Sequence, residues 1–483
     1  MPTQEKASVS EDHQRVLVVD LDGTLLRSDL LIESSFACVA ENPFSFFFSL
    51  LKTLTRGRAQ LKAVIAQTVR IDPAQLPYDN RIISIIEEAR ATGRKIYLAS
   101  ANNERFVENI VRHLGLFDGW FASTSSENLS PQLKADRLVE EFGLNNFDYI
   151  SNDRADLAVW KASRKAFYVG PSHPVDRGLD IIHPSVTVIA QQKVGLRPWI
   201  KLLRVHQWSK NFLVFLPLVA AHQFEVSSFL IAVGAFLTFC LTASAIYIIN
   251  DIVDLDADRK HPSKKLRPLA AGTVPIRAAS LMAPVMLILS ITSAIALGYH
   301  FSLVLFAYVL ITTAYTFFLK KKMMIDVVTL AALYTMRVIA GAAAISVVPS
   351  EWLLAFSMSI FTCLALLKRY IELAARADGD LPDPSNRNYR KSDLGIVAAL
   401  AAASGFNAVT IFALYISSNT VRQLYTQPRL LWLICPILIY WIGRILFMAH
   451  RRLMSDDPIV FAMKDWNSLL AAGLAGAIMI AAM

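Results

Sequence analysis

Cysteine is scarce. The 483 residues hold four, Cys38, Cys240, Cys363 and Cys435, widely scattered and without the spacing of a metal or redox site. No disulfide framework is implied, and three of the four fall in apolar stretches where a thiol is a packing residue. Charge is thin too: 18% Asp, Glu, Lys and Arg against 54% hydrophobic residues, with mean hydropathy +0.42. That balance excludes a disordered chain and places the protein among membrane proteins. Long apolar runs are missing only from residues 1 to about 195, which read as soluble; beyond residue 211, apolar stretches near ~20 residues recur, the length that crosses a bilayer. The beginning, "MPTQEKASVSEDHQRVLVVD", lacks a signal-peptide core, its first apolar run being short and strand-like, so the soluble part is expected in the cytoplasm.

Nine spans are expected: 200–222, 228–250, 278–298, 302–319, 326–346, 352–372, 393–417, 429–448 and 465–483. With the soluble part cytoplasmic, the inside loops carry eighteen Lys and Arg and the outside loops only Arg422 and Arg429. This positive-inside bias predicts a multi-pass protein of the cell's inner membrane with its N-terminal part in the cytoplasm. The net charge of +9 is then topology and calls for no nucleic-acid partner.

The second expected span ends in "IYIINDIVDLDADRKHPSKK" (246–265), with four aspartates within eight positions. At about 100° per residue, Asn250, Asp251, Asp254 and Asp258 project within about 100° of one another as an acidic stripe, and Asp256 points the other way. Crowded carboxylates at a membrane edge are costly unless a cation sits among them, and hard oxygen ligands suit Mg²⁺, which bridges to substrate phosphates. A solvated turn is the plain alternative; the stripe's register and the cations of "RKHPSKKLRP" favour a metal and diphosphate site. Asp326 and Arg337, eleven residues apart, are three helical turns apart and are expected to look into one cavity. An arginine that deep needs a partner or an anion. Lys368 and Arg369 in "LLKRYIEL" fall at a cytoplasmic helix end, where lipid headgroups compete with a substrate phosphate as the explanation.

"NDIVDLDADRKHPSKKLRPLAAG" resembles the first aspartate-rich motif of the UbiA superfamily of intramembrane prenyltransferases, N-D-x-x-D-x-x-x-D, and nine spans is that superfamily's architecture. Within it, "LLRVHQWSKNFLVFLPL", "KKLRPLAAG", "YTMRVIAG", "KRYIEL" and "DDPIVFAMKD" look most like decaprenyl-phosphate phosphoribosyltransferases, a resemblance covering residues 198–483. It implies an all-α bundle of the UbiA fold. Phosphoribosyl pyrophosphate would bind through Mg²⁺ on Asp251, Asp254 and Asp258, of which Asp251 and Asp254 are the implied catalytic pair. Asn250 would orient the cluster, and Lys210, Lys264, Arg267, Lys322, Arg337, Lys368 and Arg369 would contact phosphates. A polyprenyl phosphate, tail in the bilayer, would attack C1 of the ribose. Aromatic prenyltransferases usually add a later acidic pair; here "FLKKKMMIDVV" offers only Asp326, kept as a substrate-side residue. Prenyl transfer to an aromatic acceptor is the runner-up, and a non-catalytic lipid-binding or transport module with a degenerate sensor is the alternative of another class.

The soluble part has its own pattern. "RVLVVDLDGTLLRSD" is an apolar strand run ending in Asp20, then Asp22, Gly23 and Thr24, which puts two carboxylates at the carboxyl edge of a parallel sheet. One can attack a phosphate while the other handles the proton. "KIYLAS" ends at Ser100, "LKADRLVEEFG" carries Lys134, and "FDYISNDRADLAVW" ends a strand near Asn152, Asp153 and Asp156. In this order they resemble the haloacid dehalogenase superfamily. The resemblance implies a Rossmann-like α/β domain with a small helical cap, Asp20 as nucleophile, Asp22 as general acid and base, Ser100 and Lys134 on the phosphoryl group, and Mg²⁺ on Asp20, Asp22 and Asn152. Asn152 stands where that family usually has an aspartate, which removes one negative charge and weakens Mg²⁺ binding. The expected division is a polar tail 1–13, the α/β domain 14–190 with its cap at about 30–78, a linker 191–198 and the membrane domain 199–483.

Overall fold

The computed structural model describes residues 15–41, 58–170, 186–190, 194–261, 263–384, 387–454 and 457–483. The expected tail, the apolar cap stretch "FSFFFSLL" (44–51) and residues 191–193 of the expected linker lie outside them. Packing divides the chain into two compact units that alternate along the sequence: residues 1–203 with 247–283, and residues 204–246 with 284–483.

In the first unit, β1 (Val16–Asp20), β2 (Ile96–Asn103), β3 (Gly119–Ser123), β4 (Phe147–Ser151), β5 (Lys165–Gly170) and β6 (Val186–Ala190) form a parallel sheet in the order β3-β2-β1-β4-β5-β6. The run "VLVVD" is unbroken by polar residues because β1 is covered on both faces: Leu17 and Val19 pack into one core cluster and Val18 into another. Helices Asn80–Ala91 and Glu104–Leu114 supply Ile82, Ile86, Val107 and Ile110 to the first cluster; Pro131–Phe142 and Leu157–Ala162 supply Leu138, Val159 and Trp160 to the second. Each such fully buried side chain contributes about 1.5–3 kcal/mol. The order reverses between β1 and β4, so the crevice at their carboxyl ends is where a doubly wound sheet keeps its site.

The same unit holds the end of helix Val226–Val253, the short helix Leu255–Lys260 and the start of helix Ile276–Leu297. Arg259 on the short helix makes a two-pronged pair with Glu33 of helix Leu30–Glu41, Nη1 to Oε2 at 2.8 Å and Nη2 to Oε1 at 2.6 Å, with both side chains 6% exposed. Parting two charges so buried costs about 3–5 kcal/mol.

Among the described residues seven helices are long and apolar enough to cross a membrane: Val226–Val253, Ile276–Leu297, Tyr299–Phe317, Ile325–Ala344, Glu351–Asp378, Lys391–Ser417 and Pro428–His450. The protein is a multi-pass membrane protein. The remaining two expected spans take other forms. Residues 200–222 are not one helix but three short pieces, Leu196–Leu202, a 3₁₀ stretch Val205–Phe215 and Leu216–Ala220. Arg204 has a left-handed backbone, φ +51°, and Pro217 cannot donate to a preceding turn. The last, Trp466–Ala482, has 17 residues, about 25 Å of helix against a core of about 30 Å. In the second unit, helices Ile325–Ala344, Glu351–Asp378, Leu394–Ser417 and Ile434–His450 share one core, with Val327, Leu364, Ala401 and Ile442 inside it.

Candidate active sites

At the sheet edge, Asp20 ends β1 and Lys134 approaches it from helix Pro131–Phe142. Ser130 caps that helix, accepting from the Leu133 N–H, and Pro131 sets its first turn. Lys134 Nζ, 3% exposed as a residue, donates to Asp20 Oδ1 at 2.9 Å, Asp156 Oδ1 at 3.1 Å and Tyr149 Oη at 3.0 Å. Burial would strip its proton, but Asp20 and Asp156 outweigh that and hold its pKa above the ordinary lysine value. Burial pushes Asp20 up to about 6 against the pull of Lys134. Burial and then the neighbouring Asp29 push Asp22 up to about 7. Asp22 accepts from the Leu30 N–H at 2.9 Å and from Asn102 Nδ2 at 2.7 Å, and Asn102 also donates to Ser100 Oγ at 3.1 Å. Thr24 Oγ1 donates to Asn152 Oδ1 at 3.2 Å. Gly23 has φ +73°, and a Cβ there would stand 2.2 Å from Asn152 Nδ2, so only glycine fits between the two loops. The five expected residues of this site thus gather around the carboxyl end of β1, linked by these contacts. A carboxylate beside a fixed cation and a second carboxyl poised near neutrality suit attack on a phosphate with proton transfer.

In the acidic segment the helical register carries through: Asp254 N–H donates to the Asn250 carbonyl at 2.9 Å and Asp258 N–H to the Asp254 carbonyl at 2.8 Å. Asp251 and Asp258 are buried, whereas Asp256 is exposed and pairs with Lys260 at 2.7 Å. The expected metal cluster is not preformed: among the described residues no three His, Cys, Asp or Glu are arranged to hold an ion. Arg267 takes the position between the carboxylates instead, its Nη1 donating to Asp251 Oδ1 at 3.1 Å and Asp258 Oδ2 at 2.5 Å. The repulsion that calls for a cation is met by a guanidinium whose side chain is 28% exposed. Burial holds the Asp258 carboxyl above its usual range even beside Arg267, and Lys264 is within electrostatic reach of it.

The second unit gathers a separate cationic group. Lys210 and Lys368 both pair with Asp457 Oδ2, at 2.5 and 3.3 Å. Burial works against that carboxylate, but Lys210 and then Lys368 hold it down to about 2. Lys210 and Arg337 both sit over the Tyr334 ring, at 5.8 and 5.5 Å from its centroid. Arg337 donates to Asn211 Oδ1 at 2.9 Å, the Leu333 carbonyl at 2.6 Å and Tyr308 Oη at 2.8 Å. Asp326 does not join it: Arg369 Nε lies 2.8 Å from Asp326 Oδ2, and Tyr389 Oη donates to Oδ1 at 2.7 Å. The first residue of that helix pair faces one bundle partner and the second another, because eleven positions at about 100° leave an offset near 20° and three turns of axial distance. Lys322 is exposed on the turn before helix Ile325–Ala344. Asp457, Asn211, Tyr308 and Tyr334 were not singled out from the sequence, although "DDPIVFAMKD", "LLRVHQWSKNFLVFLPL" and "YTMRVIAG" contain Asp457, Asn211 and Tyr334; Tyr308 alone of the four lies in no quoted motif.

Residues 211–467 match the model of the UbiA prenyltransferase family. The uncharacterized protein y4nM of Sinorhizobium fredii is 35% identical over 98% of this chain and 92% of its own length. The decaprenyl-phosphate phosphoribosyltransferase of Mycobacterium tuberculosis is 34% identical over 42% of this chain and 70% of its own. Among solved structures, a UbiA homolog from Archaeoglobus fulgidus bound to GPP and Mg²⁺ aligns over 59% of this chain and 99% of its own at 16% identity and TM-score 0.45. A probable phosphoserine phosphatase from Vibrio cholerae aligns over 36% of this chain and 62% of its own at 14% identity and TM-score 0.27. By the family match over more than half its length, supported by a relative similar nearly end to end, the chain belongs to the UbiA prenyltransferase family.

Proposed function

We propose that the membrane part transfers 5-phosphoribose from phosphoribosyl pyrophosphate to a polyprenyl phosphate, and that the α/β part, which resembles haloacid dehalogenase phosphatases, removes the 5-phosphate from the product. The reading places the α/β part in the cytoplasm and the spans in the inner membrane, as the loop charges favour. The observation that carries it is the acidic stripe, where Asp251 and Asp258 converge on a single guanidinium nitrogen. That nitrogen marks a cation position built from hard oxygen donors, the donor chemistry Mg²⁺ prefers. Asp251, Asp254 and Asp258 would hold the ion, which when bound offsets charge on the departing diphosphate. The reading assigns Asn250 to orient the stripe, and Arg267, once displaced, is a phosphate contact alongside Lys264. Lys210, Lys368 and Arg337 are the cations the reading assigns to the polyprenyl phosphate or the diphosphate. An oxygen of the polyprenyl phosphate bonds to C1, the C1–O bond to the diphosphate breaks, and the electron pair leaves with pyrophosphate. The named activity of the Mycobacterium relative favours this donor and acceptor, and the engagement of Asp326 with Arg369 and Tyr389 ties up the acid that an aromatic prenyltransferase would place at its second acidic position.

At the sheet edge, Asp20 attacks the phosphorus, the bond to the sugar oxygen breaks, and Asp22 delivers a proton to that oxygen; water then hydrolyses the acyl phosphate with Asp22 as base. Lys134 and Ser100 hold the phosphoryl group. Asp20, Asp22 and Asn152 would hold Mg²⁺, with one charge fewer than three carboxylates provide. The test is inorganic phosphate release from the lipid product made by the same preparation. Release that disappears with Asp20→Asn while transfer continues supports the two-step reading; transfer without any release leaves the α/β part without this activity.

A further inference from the structure

The cavity at the carboxyl edge of the sheet is larger than one phosphoryl group needs, ≈ 1080 Å³. Gly23 and Asn152, from the loops that follow β1 and β4, line it on the nucleophile's side, and residues 272–277, which lead from the acidic segment into helix Ile276–Leu297, line it as well. Three arginines, Arg27, Arg81 and Arg277, face this space. Gly272 brings the two parts into contact: it has φ +63°, and a Cβ there would stand 2.8 Å from Arg27 Cβ. The α/β part therefore does not complete this cavity alone.

The arginines are braced by carboxylates. Asp79, 1% exposed, holds Arg27 at 3.2 Å and also pairs with Arg81, while Arg277 pairs with Asp29 at 2.5 Å and Asp153 at 2.8 Å. The guanidinium side chains stay accessible, 38% for Arg27, 36% for Arg81 and 52% for Arg277. A guanidinium has five N–H donors. Among the described residues Arg27 commits Nη2 and Arg277 commits Nε and Nη1, so both keep donors for an anion in an orientation their carboxylates fix. The phosphatase reading gives the phosphoryl group to be cleaved to Lys134 and Ser100, neither of which lines this cavity, so the arginines are left for a second group.

We infer that the cavity takes a pentose carrying two phosphates, one ester presented to Asp20 and the second phosphate gripped by Arg27 and Arg277. The inference rests on the phosphatase reading, whose substrate is a pentose 5-phosphate bearing a further phosphate at C1, and adds the residues that select it: Arg27, and Arg277 supplied by the membrane part of the chain. Planar guanidinium forks match phosphate oxygens two at a time, which lysine does not. Asp20 and Asp22 would perform the same cleavage on any monoester, so the arginines govern choice among substrates.

The probes are ribose 1,5-bisphosphate and ribose 5-phosphate, each given with Mg²⁺ to the full-length protein in detergent, with phosphate release and the sugar product followed. The expected kcat/KM favours the bisphosphate, cleaved at its 5-position, by about tenfold or more, the worth of one charge-assisted hydrogen-bond pair. Arg277→Gln and Arg27→Gln should each collapse that ratio. Arg277→Gln breaks two ion pairs and is the riskier variant for folding; Arg27→Gln loses one bond to Asp79 and keeps the experiment decisive. Equal kcat/KM for both probes, or a preference that survives both substitutions, overturns the inference while leaving the phosphatase reading intact. Release from neither probe nor from the lipid product overturns both.

Discussion

At the sheet edge Asp20 faces a lysine whose side chain is 4% exposed, held from the other side by Asp156, whereas in the acidic stripe Asp251 and Asp258 share an arginine whose side chain is 28% exposed. The two clusters lie in one compact unit and meet the same problem, crowded carboxylates, with cations of different exposure. A buried lysine between two acids cannot leave without stranding them, so its charge belongs to the site in every state. Asp251 and Asp258 are as buried as the acids of the first cluster, so the more exposed arginine can leave them only if another cation takes its place. On the proposed function that cation is Mg²⁺ at the stripe, while Lys134 keeps Asp20 poised as the nucleophile.

The largest effects should separate the two chemistries. Asp254→Asn is expected to cut transfer at least ~10³-fold and leave phosphate release from a supplied monoester near the wild-type rate, while Asp20→Asn does the reverse. If each mutant loses both activities, the division between the clusters is broken. Stability should sharpen the contrast. Lys134→Ala strands Asp20 and Asp156 and is expected to cost about 3–5 kcal/mol; Arg267→Ala strands Asp251 and Asp258, whose side chains are 3% and 4% exposed, and is expected to cost a similar amount without Mg²⁺ and clearly less with it in thermal unfolding of the detergent-solubilised protein. Equal losses with and without Mg²⁺ would make Arg267 a structural strut. Arg369→Ala tests the same rule in the second unit, where Asp326 is fully buried; a loss of about 3–5 kcal/mol is expected, because an unpaired acid is left behind.

A smaller effect is set by pH. Asp457 is held down to about 2 from an ordinary 3.8, so its contribution is full above its unfolded value and is lost as pH falls through about 2. The amount is on the order of 2 kcal/mol. The difference in melting temperature between wild type and Asp457→Asn should therefore shrink between pH 4 and pH 2; a constant difference would mean that Lys210 and Lys368 do not depend on that charge.

Local periodicity made much of this legible. The apolar run before Asp20 marked a central strand, and a 3.6-residue repeat put Asn250, Asp251, Asp254 and Asp258 on one stripe with Asp256 outside it, as the pairing of Asp256 with Lys260 bears out. What escaped was set by contacts far apart in sequence. Lys210 and Asp457 are 247 residues apart, Arg277 and Asp29 are 248 apart, and Arg259 and Glu33 are 226 apart. No helical or strand period carries such pairs. Residues 200–222 are the weakest of the expected spans: Lys201, Arg204, His206, Gln207, Lys210 and Asn211 crowd their first half, and only the left-handed turn at Arg204 itself is beyond reading. Arg337 needs a partner or an anion by its depth, and it has partners: Asn211, Tyr308 and the Leu333 carbonyl take three of its five donors, a set of contacts no local pattern carries.

The exchangeable cation at the acidic stripe is the central claim, and the most direct measurement supplies the purified protein in detergent with a polyprenyl phosphate, Mg²⁺ and phosphoribosyl pyrophosphate labelled in the ribose. The account predicts label in the organic phase, dependent on Mg²⁺ and abolished by Asp254→Asn. No label there, with a polyprenyl diphosphate and an aromatic acid reacting instead, would contradict it.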